Sequence, residues 1–201
     1  MSGPSDRAES WPVHFTEDIW SGPAPFSVRR DRISAPGDPE DQFDRLVLVH
    51  PGACVVLAVD DAERALVLQQ YRHPAQTRFV ELPAGLLDVE DEDPLVAAQR
   101  ELREEAQLHA DTWRHLVTMY PSPGLSSERI EIYQATDLSH WDRGDFELVR
   151  EEADMTTAWV PLDDLVASVL AGTATDGPLG LAVMVYALRA REPNTLSRSP
   201  R

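Results

Sequence analysis

A short acidic helix constrains this chain most, because it places three carboxylates on one side of itself. Glu101, Glu104 and Glu105 stand at positions i, i+3 and i+4, which share one face of an α-helix. Like charges at that spacing repel by roughly 0.2–0.5 kcal/mol per pair. A bound hard cation would offset this repulsion. The alternative is that the carboxylates simply form a solvent-exposed acidic face, as most runs of charged residues do.

Capping residues and an apolar stripe predict the helix itself. Asp93 is a suitable N-cap, and Pro94 suits the first helical position. Apolar residues then recur at helical spacing, beside the carboxylate face, at Leu95, Ala98, Leu102 and Ala106. One side of the helix can therefore pack on a core while the carboxylates face outward. Oxygen ligands without Cys or His favour Mg²⁺ or Mn²⁺ over zinc.

Composition and charge narrow the possible partners. The 201 residues are 42% hydrophobic, which is enough to bury a core, and the length indicates one domain or one domain with an appendage. With 18 Lys and Arg against 35 Asp and Glu, the formal net charge of −17 argues against nucleic acid or an anionic membrane. An anionic substrate would then need cations at its site. The sequence contains neither a long apolar run nor a signal-peptide pattern, so we expect a cytoplasmic protein.

The cysteine and histidines give no sign of a metal or nucleophile site of their own. Cys54 lies in an apolar run without a nearby histidine partner, so a buried strand residue is favoured over a nucleophile. The 6 histidines have no ligand spacing, so structural zinc is not expected.

Alternating apolar segments predict a strand-rich fold around the acidic helix. Strands are predicted at residues 14–20, 26–33, 45–50, 53–59, 65–70 and 79–82 before that helix, and near residues 116–119, 130–134 and 157–160 after it. Two helices are predicted at residues 162–171 and 180–191. Strands that surround a central helix, with a helix at the end, indicate an α/β/α sandwich with a mixed sheet.

From Gly85 onward the sequence resembles the signature of the Nudix hydrolases, G-x5-E-x7-R-E-U-x-E-E-x-G-U, in which U is aliphatic. Glu92 fits the loop glutamate, residues 100–105 match the central block in full, and Leu108 is the final aliphatic residue. Two positions depart from it. The segment from Gly85 to Glu92 is one residue longer, and Gln107 replaces a glycine. The insertion falls in a loop, where changes of length are tolerated. With Gln107 the helix lacks its usual C-capping glycine, but no metal-binding residue is lost.

The flanking segments resemble ADP-ribose pyrophosphatases as found in actinobacteria. The similarity lies in QQYRHPAQTRFVELPAGLLD before the signature and in SPGLSSERIEIYQA and EEADMTTAWVPLDDL after it, and covers roughly residues 45–165. It implies metal-dependent hydrolysis of the diphosphate bond of ADP-ribose to AMP and ribose 5-phosphate. The alternatives are a pyrophosphatase for another nucleotide sugar, such as an ADP- or GDP-sugar, and a domain that binds ADP-ribose without hydrolysing it. The intact carboxylates argue against a pure binder.

The resemblance also implies a domain organisation and a partner. We expect a disordered start at residues 1–10, a small antiparallel β appendage at 11–44, the Nudix domain at 45–192 and a loose tail at 193–201. The appendage would pair with a second copy in a homodimer. Trp20 and Phe26 would be interface anchors or would stack on an adenine, with core packing as the alternative.

The family assigns a metal site to the signature. Its ligands would be the backbone carbonyl of Ala84 and the carboxylates of Glu101, Glu104 and Glu105. Glu105 also counts as a catalytic residue. Arg100 and Glu92 would form a structural pair that orients the carboxylates. The expected cofactor is Mg²⁺ or Mn²⁺, and the expected partner is a small-molecule nucleoside diphosphate, with no nucleic acid and no membrane.

A general base and two substrate contacts would lie outside the signature helix. In the ADP-ribose subgroup the base comes from a mobile loop, and Glu152 fits that place, with Glu151 as runner-up and a hydrophilic turn as the alternative reading. Arg72 would pair with a phosphate or ribose, and Glu128 would hydrogen-bond substrate or coordinate metal. As purely structural residues these two would end a strand and hold a loop.

Overall fold

The computed structural model describes residues 3–142 and 154–191, which fall into two compact units. The first unit comprises the described residues up to Pro51 together with Ser122–Glu128, and the second comprises the remainder. Residues 11–44, where the β appendage is expected, lie within the first unit. Ser122–Glu128 joins that unit from a point far along the chain.

The first unit is built on a sheet of three antiparallel strands. They are β1 at Val13–Ser21, β2 at Ser27–Ser34 and β3 at Gln42–Val49. The strand order is β1-β2-β3, so β2 is the central strand. β1 is exposed along its whole length, including the aromatic side chains of Phe15 and Trp20. The antiparallel arrangement agrees with the predicted appendage.

The second unit contains two sheets and three helices within its described residues. Its strands are β4 at Ala53–Ala58, β5 at Arg64–Arg72, β6 at Thr77–Glu81, β7 at Ala84–Leu86, β8 at Leu108–Met119, β9 at Ile130–His140 and β10 at Thr156–Pro161. Its helices are α1 at Pro94–Ala106, α2 at Leu162–Leu170 and α3 at Gly177–Arg191, with a short 3-10 helix at His73–Ala75. One sheet has the order β10-β5-β6 and is antiparallel, whereas the other has the order β7-β4-β9-β8. Because β4 and β9 run parallel, the second sheet is mixed.

β4 separates two apolar cores, because successive side chains of a strand point to opposite faces of the sheet. On one face, Val55 belongs to a cluster that includes Leu165 of α2 and Val183 of α3. On the other face, Val56 belongs to a cluster that includes Leu102 of α1. The sheet therefore lies between α1 and the pair α2 and α3, and the predicted α/β/α sandwich with a mixed sheet is confirmed.

Side-chain caps fix where two of the helices begin. Asp93 accepts a hydrogen bond from the backbone N–H of Leu95 at 2.8 Å, which confirms it as the N-cap of α1. At α3 the carboxylate of Asp176 accepts from the backbone N–H of Leu179, also at 2.8 Å. This cap starts α3 at Gly177, three residues before the predicted 180. No helix within the described ranges is long and apolar enough to cross a membrane.

β8 is longer than its sequence pattern predicts. It runs over Leu108–Met119, whereas apolar residues indicated a strand only near 116–119. Its first half carries exposed polar residues such as Asp111 and Thr112, which weaken the apolar signal. Antiparallel pairing with β9, from Leu108 opposite His140 onward, holds this half in the sheet. Cross-strand pairing of this kind is not encoded in local periodicity.

Candidate active site

Strand β7 and helix α1 bring the carboxylate of Glu101 against the backbone at Gly85. A Cβ built on Gly85 would lie 2.0 Å from the carboxylate carbon and from Oε1 of Glu101. Any side chain at position 85 would therefore displace this carboxylate. The glycine allows a close approach here, which is one of the roles that glycine has in folded chains. The neighbouring residue is Ala84, whose carbonyl is an expected metal ligand.

Glu105 is anchored on the same strand. Its residue is 7% exposed, and its Oε2 accepts a hydrogen bond from the backbone N–H of Ala84 at 2.9 Å. A carboxylate at such a depth requires a donor or a cation to offset the loss of water. Two of the three carboxylates predicted to bind metal are thus held at the segment formed by Ala84 and Gly85.

Arg100 lies among the carboxylates of the signature. One of its terminal nitrogens, Nη1, donates to Glu101 at 2.7 Å and to Glu104 at 3.1 Å, and Nη2 donates to Glu92 at 3.2 Å. Burial opposes the charge of Arg100, but the hydrogen bond to Glu92 and the charges of all three glutamates outweigh it and raise the pKa of the guanidinium. The predicted structural pair of Arg100 and Glu92 is therefore confirmed.

The described carboxylates do not converge on one point. Across residues 3–142 and 154–191, no three acidic, histidine or cysteine side chains are close enough together to hold a metal ion. Arg100 draws Glu101 and Glu104 to itself, while Glu105 bonds to Ala84. The donors nevertheless fit a hard divalent cation by their chemistry, since all are oxygens, and Gly85 leaves room for one of them.

A tight turn absorbs the extra residue between Gly85 and Glu92. The backbone N–H of Glu92 donates to the carbonyl of Val89 at 3.2 Å, and Asp91 has a φ of 60°. Aspartate tolerates this left-handed conformation better than most residues. The insertion is thus confined to the loop, and Glu92 still reaches Arg100.

Gln107 occupies the C-cap of α1 in the left-handed conformation. Its φ is 55° and its ψ is 40°, and its backbone N–H donates to the carbonyl of Arg103 at 3.0 Å. Glycine is the usual residue at such a cap because it has no Cβ to strain. The replacement of the signature glycine by Gln107 therefore adds backbone strain at the cap. It removes none of the carboxylates, as expected from the sequence.

Arg72 and Glu81 form a bidentate ion pair on strands β5 and β6. Nε of Arg72 donates to both carboxylate oxygens at 2.9 and 3.1 Å, and Nη2 donates to one of them at 2.6 Å. The hydrogen bond to Glu81 raises the pKa of Arg72 against the effect of burial, and the charges of Glu105 and Asp176 raise it further. Arg72 is therefore within electrostatic reach of Glu105, one of the signature carboxylates.

Glu81 and Asp176 were not singled out from the sequence. The only feature of the sequence that points to Glu81 is its position in the ELPAG segment, which is part of the stretch that resembles ADP-ribose pyrophosphatases. Burial raises the pKa of Asp176 to about 6, and the charge of Glu81 adds to the shift, while the Leu179 N–H and the charge of Arg72 oppose it. The link between Asp176 and Arg72 spans more than a hundred residues of sequence, so spacing could not reveal it.

Two predicted substrate contacts lie in the first unit and share a neighbour. Phe26 stacks on the imidazole of His50 with ring centroids 4.9 Å apart, and Glu128 lies 3.7 Å from the same imidazole. The sequence did not single out His50. Trp20, the other aromatic candidate, is half-exposed on β1.

The candidate bases Glu152 and Glu151 lie outside the described residues. Asp154 follows them closely, and Arg78 of β6 donates to its carbonyl at 3.2 Å and pairs with its carboxylate. Arg78 also donates to the carbonyl of Gln69 on β5 at 3.2 Å. Arg78 thus ties Asp154, just before β10, to strand β6.

Cys54 is a buried strand residue, as predicted. It is fully buried on β4, and its thiol donates weakly to the carbonyl of Gly85 at 3.7 Å. Burial, followed by the charge of Glu101, raises the pKa of the thiol to about 12. A thiol with so high a pKa remains protonated and is a poor nucleophile.

A family model and several known proteins match this chain over different shares of its length. The family model described as the NUDIX domain matches residues 48–179. An ADP-ribose pyrophosphatase of Mycobacterium tuberculosis is 44% identical over 157 residues, which are 78% of this chain and 73% of that protein. A methanol dehydrogenase activator of Bacillus methanolicus is 36% identical over 62% of this chain and 65% of its own length. An ADP-ribose pyrophosphatase of Bacillus subtilis is 38% identical over 47% of this chain and 51% of its own length.

A solved structure extends the likeness to the fold. The crystal structure of an ADP compounds hydrolase matches with a TM-score of 0.72 over 92% of this chain and 96% of that chain, at 18% identity. At this identity the match concerns the fold alone. The domain match and the relative at 44% identity, however, each cover well over half of the sequence, and the chain therefore belongs to the Nudix family.

Proposed function

We propose that this protein hydrolyses the diphosphate bond of ADP-ribose and releases AMP and ribose 5-phosphate. Two relatives, one of them 44% identical, are ADP-ribose pyrophosphatases. The observation that carries the proposal is the position of the Glu101 carboxylate in the space left by Gly85, beside Ala84. A diphosphate needs its negative charge offset for cleavage, and a carboxylate next to an unobstructed backbone carbonyl is the kind of oxygen donor that a cation would use here.

Nudix hydrolases generally use divalent metal ions, and we propose Mg²⁺ or Mn²⁺ here. The ligands would be the carbonyl of Ala84 and the carboxylates of Glu101, Glu104 and Glu105. When bound, such a cation polarises phosphoryl oxygens and orients water. Arg100 offsets the repulsion among the carboxylates and holds two of them by hydrogen bonds. Its pairing with Glu92 fixes the guanidinium in turn.

Arg72 is the proposed phosphate or ribose contact in the second unit. Its bidentate pairing with Glu81 uses Nε and Nη2 and fixes the plane of the guanidinium. Nη1 is not part of that pairing, and the side chain is 47% exposed. A planar, oriented guanidinium is well suited to bind phosphate oxygens.

The general base is proposed to be Glu152, with Glu151 as the alternative. The support comes from the likeness of the EEADM string to the actinobacterial enzymes. If Glu152 takes a proton from water, Glu152→Gln will slow turnover far more than it weakens metal binding. A collapse of metal affinity in this variant would identify Glu152 as a ligand and overturn the assignment.

We further propose a homodimer formed through the N-terminal strands, with Phe26 and Glu128 binding the substrate. The exposed aromatic residues Phe15 and Trp20 on β1 support an interface between copies, since aromatic residues are enriched at such interfaces. The cytoplasmic location expected from the sequence stays a prediction.

A panel of nucleotide sugars tests the proposed reaction. ADP-ribose, ADP-glucose and GDP-mannose are incubated with the wild type, Glu105→Gln and Glu90→Gln, each with and without Mg²⁺. Glu90 is an exposed acidic residue of the loop before α1, so its variant controls for the loss of one negative charge. We expect metal-dependent AMP from ADP-ribose in the wild type and in Glu90→Gln, and almost none in Glu105→Gln. Faster cleavage of ADP-glucose or GDP-mannose would identify another nucleotide sugar as the substrate. Binding of ADP-ribose without turnover under any divalent metal would refute the proposal.

A further inference from the structure

A second polar cluster lies on the mixed sheet, around the buried carboxylate of Glu131 on β9. The residue is 4% exposed. Its Oε2 accepts hydrogen bonds from Nε2 of His115 at 2.8 Å and from the hydroxyl of Thr118 at 2.7 Å. Its Oε1 forms an ion pair with Arg129. A carboxylate at this depth needs such donors in place of water, and the proposed hydrolysis uses none of these four residues.

A β-bulge in β8 turns two of the donors toward Glu131. His115 and Thr118 are three residues apart, and in a regular strand such residues face opposite sides of the sheet. The pairing with β9 changes register between His115 and Val117. As a result Thr118 lies opposite Glu131, and His115 lies opposite the residue two places further along β9. The bulge thus brings both side chains to one face, and β-bulges commonly redirect a side chain in this way.

The cluster stands apart from the signature carboxylates. Glu131 lies opposite Cys54 of β4, and Cys54 lies opposite Gly85 of β7. Two strand spacings, or about 10 Å, therefore separate Glu131 from Gly85, against which Glu101 lies. The four residues are a separate set of groups and not part of the proposed metal site.

The hydrogen bond to Glu131 fixes how the imidazole is oriented. An ionised carboxylate only accepts hydrogen bonds, so Nε2 of His115 carries the proton and Nδ1 of the neutral ring carries the lone pair. Within residues 3–142 and 154–191, Nδ1 has no hydrogen-bond partner. The side chain is 47% exposed, and its ring lies edge-on to Tyr133 with centroids 5.4 Å apart. His115 therefore presents an oriented nitrogen lone pair on a half-exposed side chain.

The surrounding charges decide what such a nitrogen can do. A metal ion would need further ligands, but no three acidic, histidine or cysteine side chains in the described ranges are placed to hold one. The guanidinium of Arg129 would also repel a cation. Arg129 is half-exposed and pairs with Glu131 through Nη1, so its other N–H groups can bind an anionic group beside His115. A nucleophile with a carboxylate behind it and a cation beside it suits a phosphoryl group.

We propose that His115 is a phosphorylation site, at which Nδ1 accepts a phosphoryl group from a small activated phosphate, either a phosphoramidate or an acyl phosphate. The lone pair of Nδ1 attacks phosphorus, and an N–P bond forms. The bond from phosphorus to the leaving group breaks, and its electron pair goes to the carboxylate of an acyl phosphate or to the protonated nitrogen of phosphoramidate, which leaves as ammonia. The ring keeps its Nε2 proton and becomes positively charged, which Glu131 stabilises, while Arg129 offsets the charge of the phosphoryl oxygens. This inference does not depend on the proposed function.

His109 provides a matched site within the same chain. It lies on β8 like His115, its side chain is 49% exposed, and its Nε2 is 3.2 Å from a carboxylate oxygen of Asp111. The carboxylate of Asp111 is exposed, however, and no arginine of the described residues pairs with it. His109 therefore has a comparable exposure and a carboxylate partner, but neither the burial of that partner nor the neighbouring cation.

Potassium phosphoramidate and acetyl phosphate, used separately on the full chain, test the proposal. Mass spectrometry of peptides gives the rate of modification at each histidine, and phosphorus NMR identifies the nitrogen that is modified. The variants are His115→Gln, which removes the nucleophile, Glu131→Gln, which removes the charge behind it, and Arg129→Gln, which removes the cation. His109→Gln is the control.

We expect Nδ1 of His115 to be phosphorylated at least about tenfold faster than His109 in the wild type, and Glu131→Gln and Arg129→Gln to lose most of that difference. His109→Gln should leave the modification of His115 unchanged. Modification by one of the two donors alone would support the site and identify the class of donor.

Three results would overturn the proposal. They are no modification of His115 by either donor, modification no faster than that of His109, and modification at Nε2 instead of Nδ1. An unchanged rate in folded Glu131→Gln and Arg129→Gln would overturn it as well, since the cluster would then have no part in the reaction. If circular dichroism shows that Glu131→Gln is unfolded, Arg129→Gln and the comparison with His109 carry the test.

Discussion

The carboxylate of Glu101 occupies the space that a side chain at Gly85 would fill. A Cβ at position 85 would lie 2.0 Å from Oε1 of Glu101, so the two cannot coexist without movement of the glutamate. The requirement for glycine at the start of the signature is therefore steric, since Gly85 is not among the glycines with positive φ.

Gly85→Ala should consequently lower activity more than stability. The glutamate end is flexible and can move away, which preserves the fold but misplaces the proposed ligand. We expect kcat/KM to fall by about 10- to 100-fold, which is the usual loss of activity when the groups that orient metal ligands are altered. Gly180→Ala in α3 is the control, because its Cβ would meet Val169 at an ordinary 3.6 Å. Equal activity of the two variants would contradict the steric account.

Gln107→Gly should stabilise the protein. The C-cap of α1 requires a φ of 55°, which strains a residue with a Cβ, and glycine relieves the strain at some cost in unfolded-state entropy. The net gain should be about 0.5–1 kcal/mol in the free energy of unfolding, measured by urea denaturation. Hydrolysis should be unaffected, since no proposed ligand is altered. A loss of stability would show that contacts of the Gln107 side chain outweigh the backbone strain.

Arg72→Lys should weaken substrate binding. Lysine keeps the charge but cannot reproduce the bidentate pairing with Glu81, so the orientation of the cationic group is lost. We expect kcat/KM for ADP-ribose to fall by about tenfold, mainly through KM. Arg64→Lys, which alters a surface pair with Asp60, should have no such effect. Similar kinetics for both variants would remove Arg72 from the binding site.

Asp176 should make stability depend on pH. Its pKa is raised from 3.8 to about 6 by burial, so the folded chain binds this proton more tightly than the unfolded chain. The contribution is fully present below pH 3.8 and is lost as pH rises through about 6. Asp176→Asn keeps an oxygen to cap α3 and removes the charge. The variant should gain roughly 1–3 kcal/mol relative to the wild type above pH 6, and the gain should shrink toward pH 4. A gain that is independent of pH would contradict the assignment.

Local patterns predicted the parts of the fold that local interactions determine. The cap at Asp93, the apolar stripe of α1 and the continuous apolar run of β4 are properties of adjacent residues, and the structure agrees with them. The first half of β8 was missed because pairing with β9 holds it in place. The start of α3 was placed three residues late, at 180 instead of Gly177, although the cap from Asp176 to the N–H of Leu179 that sets it is itself a local interaction.

The same distinction applies to the candidate site. The shared face of the three carboxylates on α1 was predicted from helical spacing, and the carbonyl of Ala84 was added to them from the resemblance to the family. Glu81, Asp176 and His50 became visible only in the structure. Each acts through a partner on another strand or loop, and no spacing rule in the sequence joins such pairs.

Direct binding of Mn²⁺, followed by the electron paramagnetic resonance of the free ion, tests the central claim that the acidic face of α1 holds a divalent cation. The account predicts that the wild type and Glu90→Gln bind Mn²⁺ with equal affinity and that Glu101→Gln binds it at least about tenfold more weakly. Equal Mn²⁺ affinity of Glu101→Gln and the wild type would contradict it.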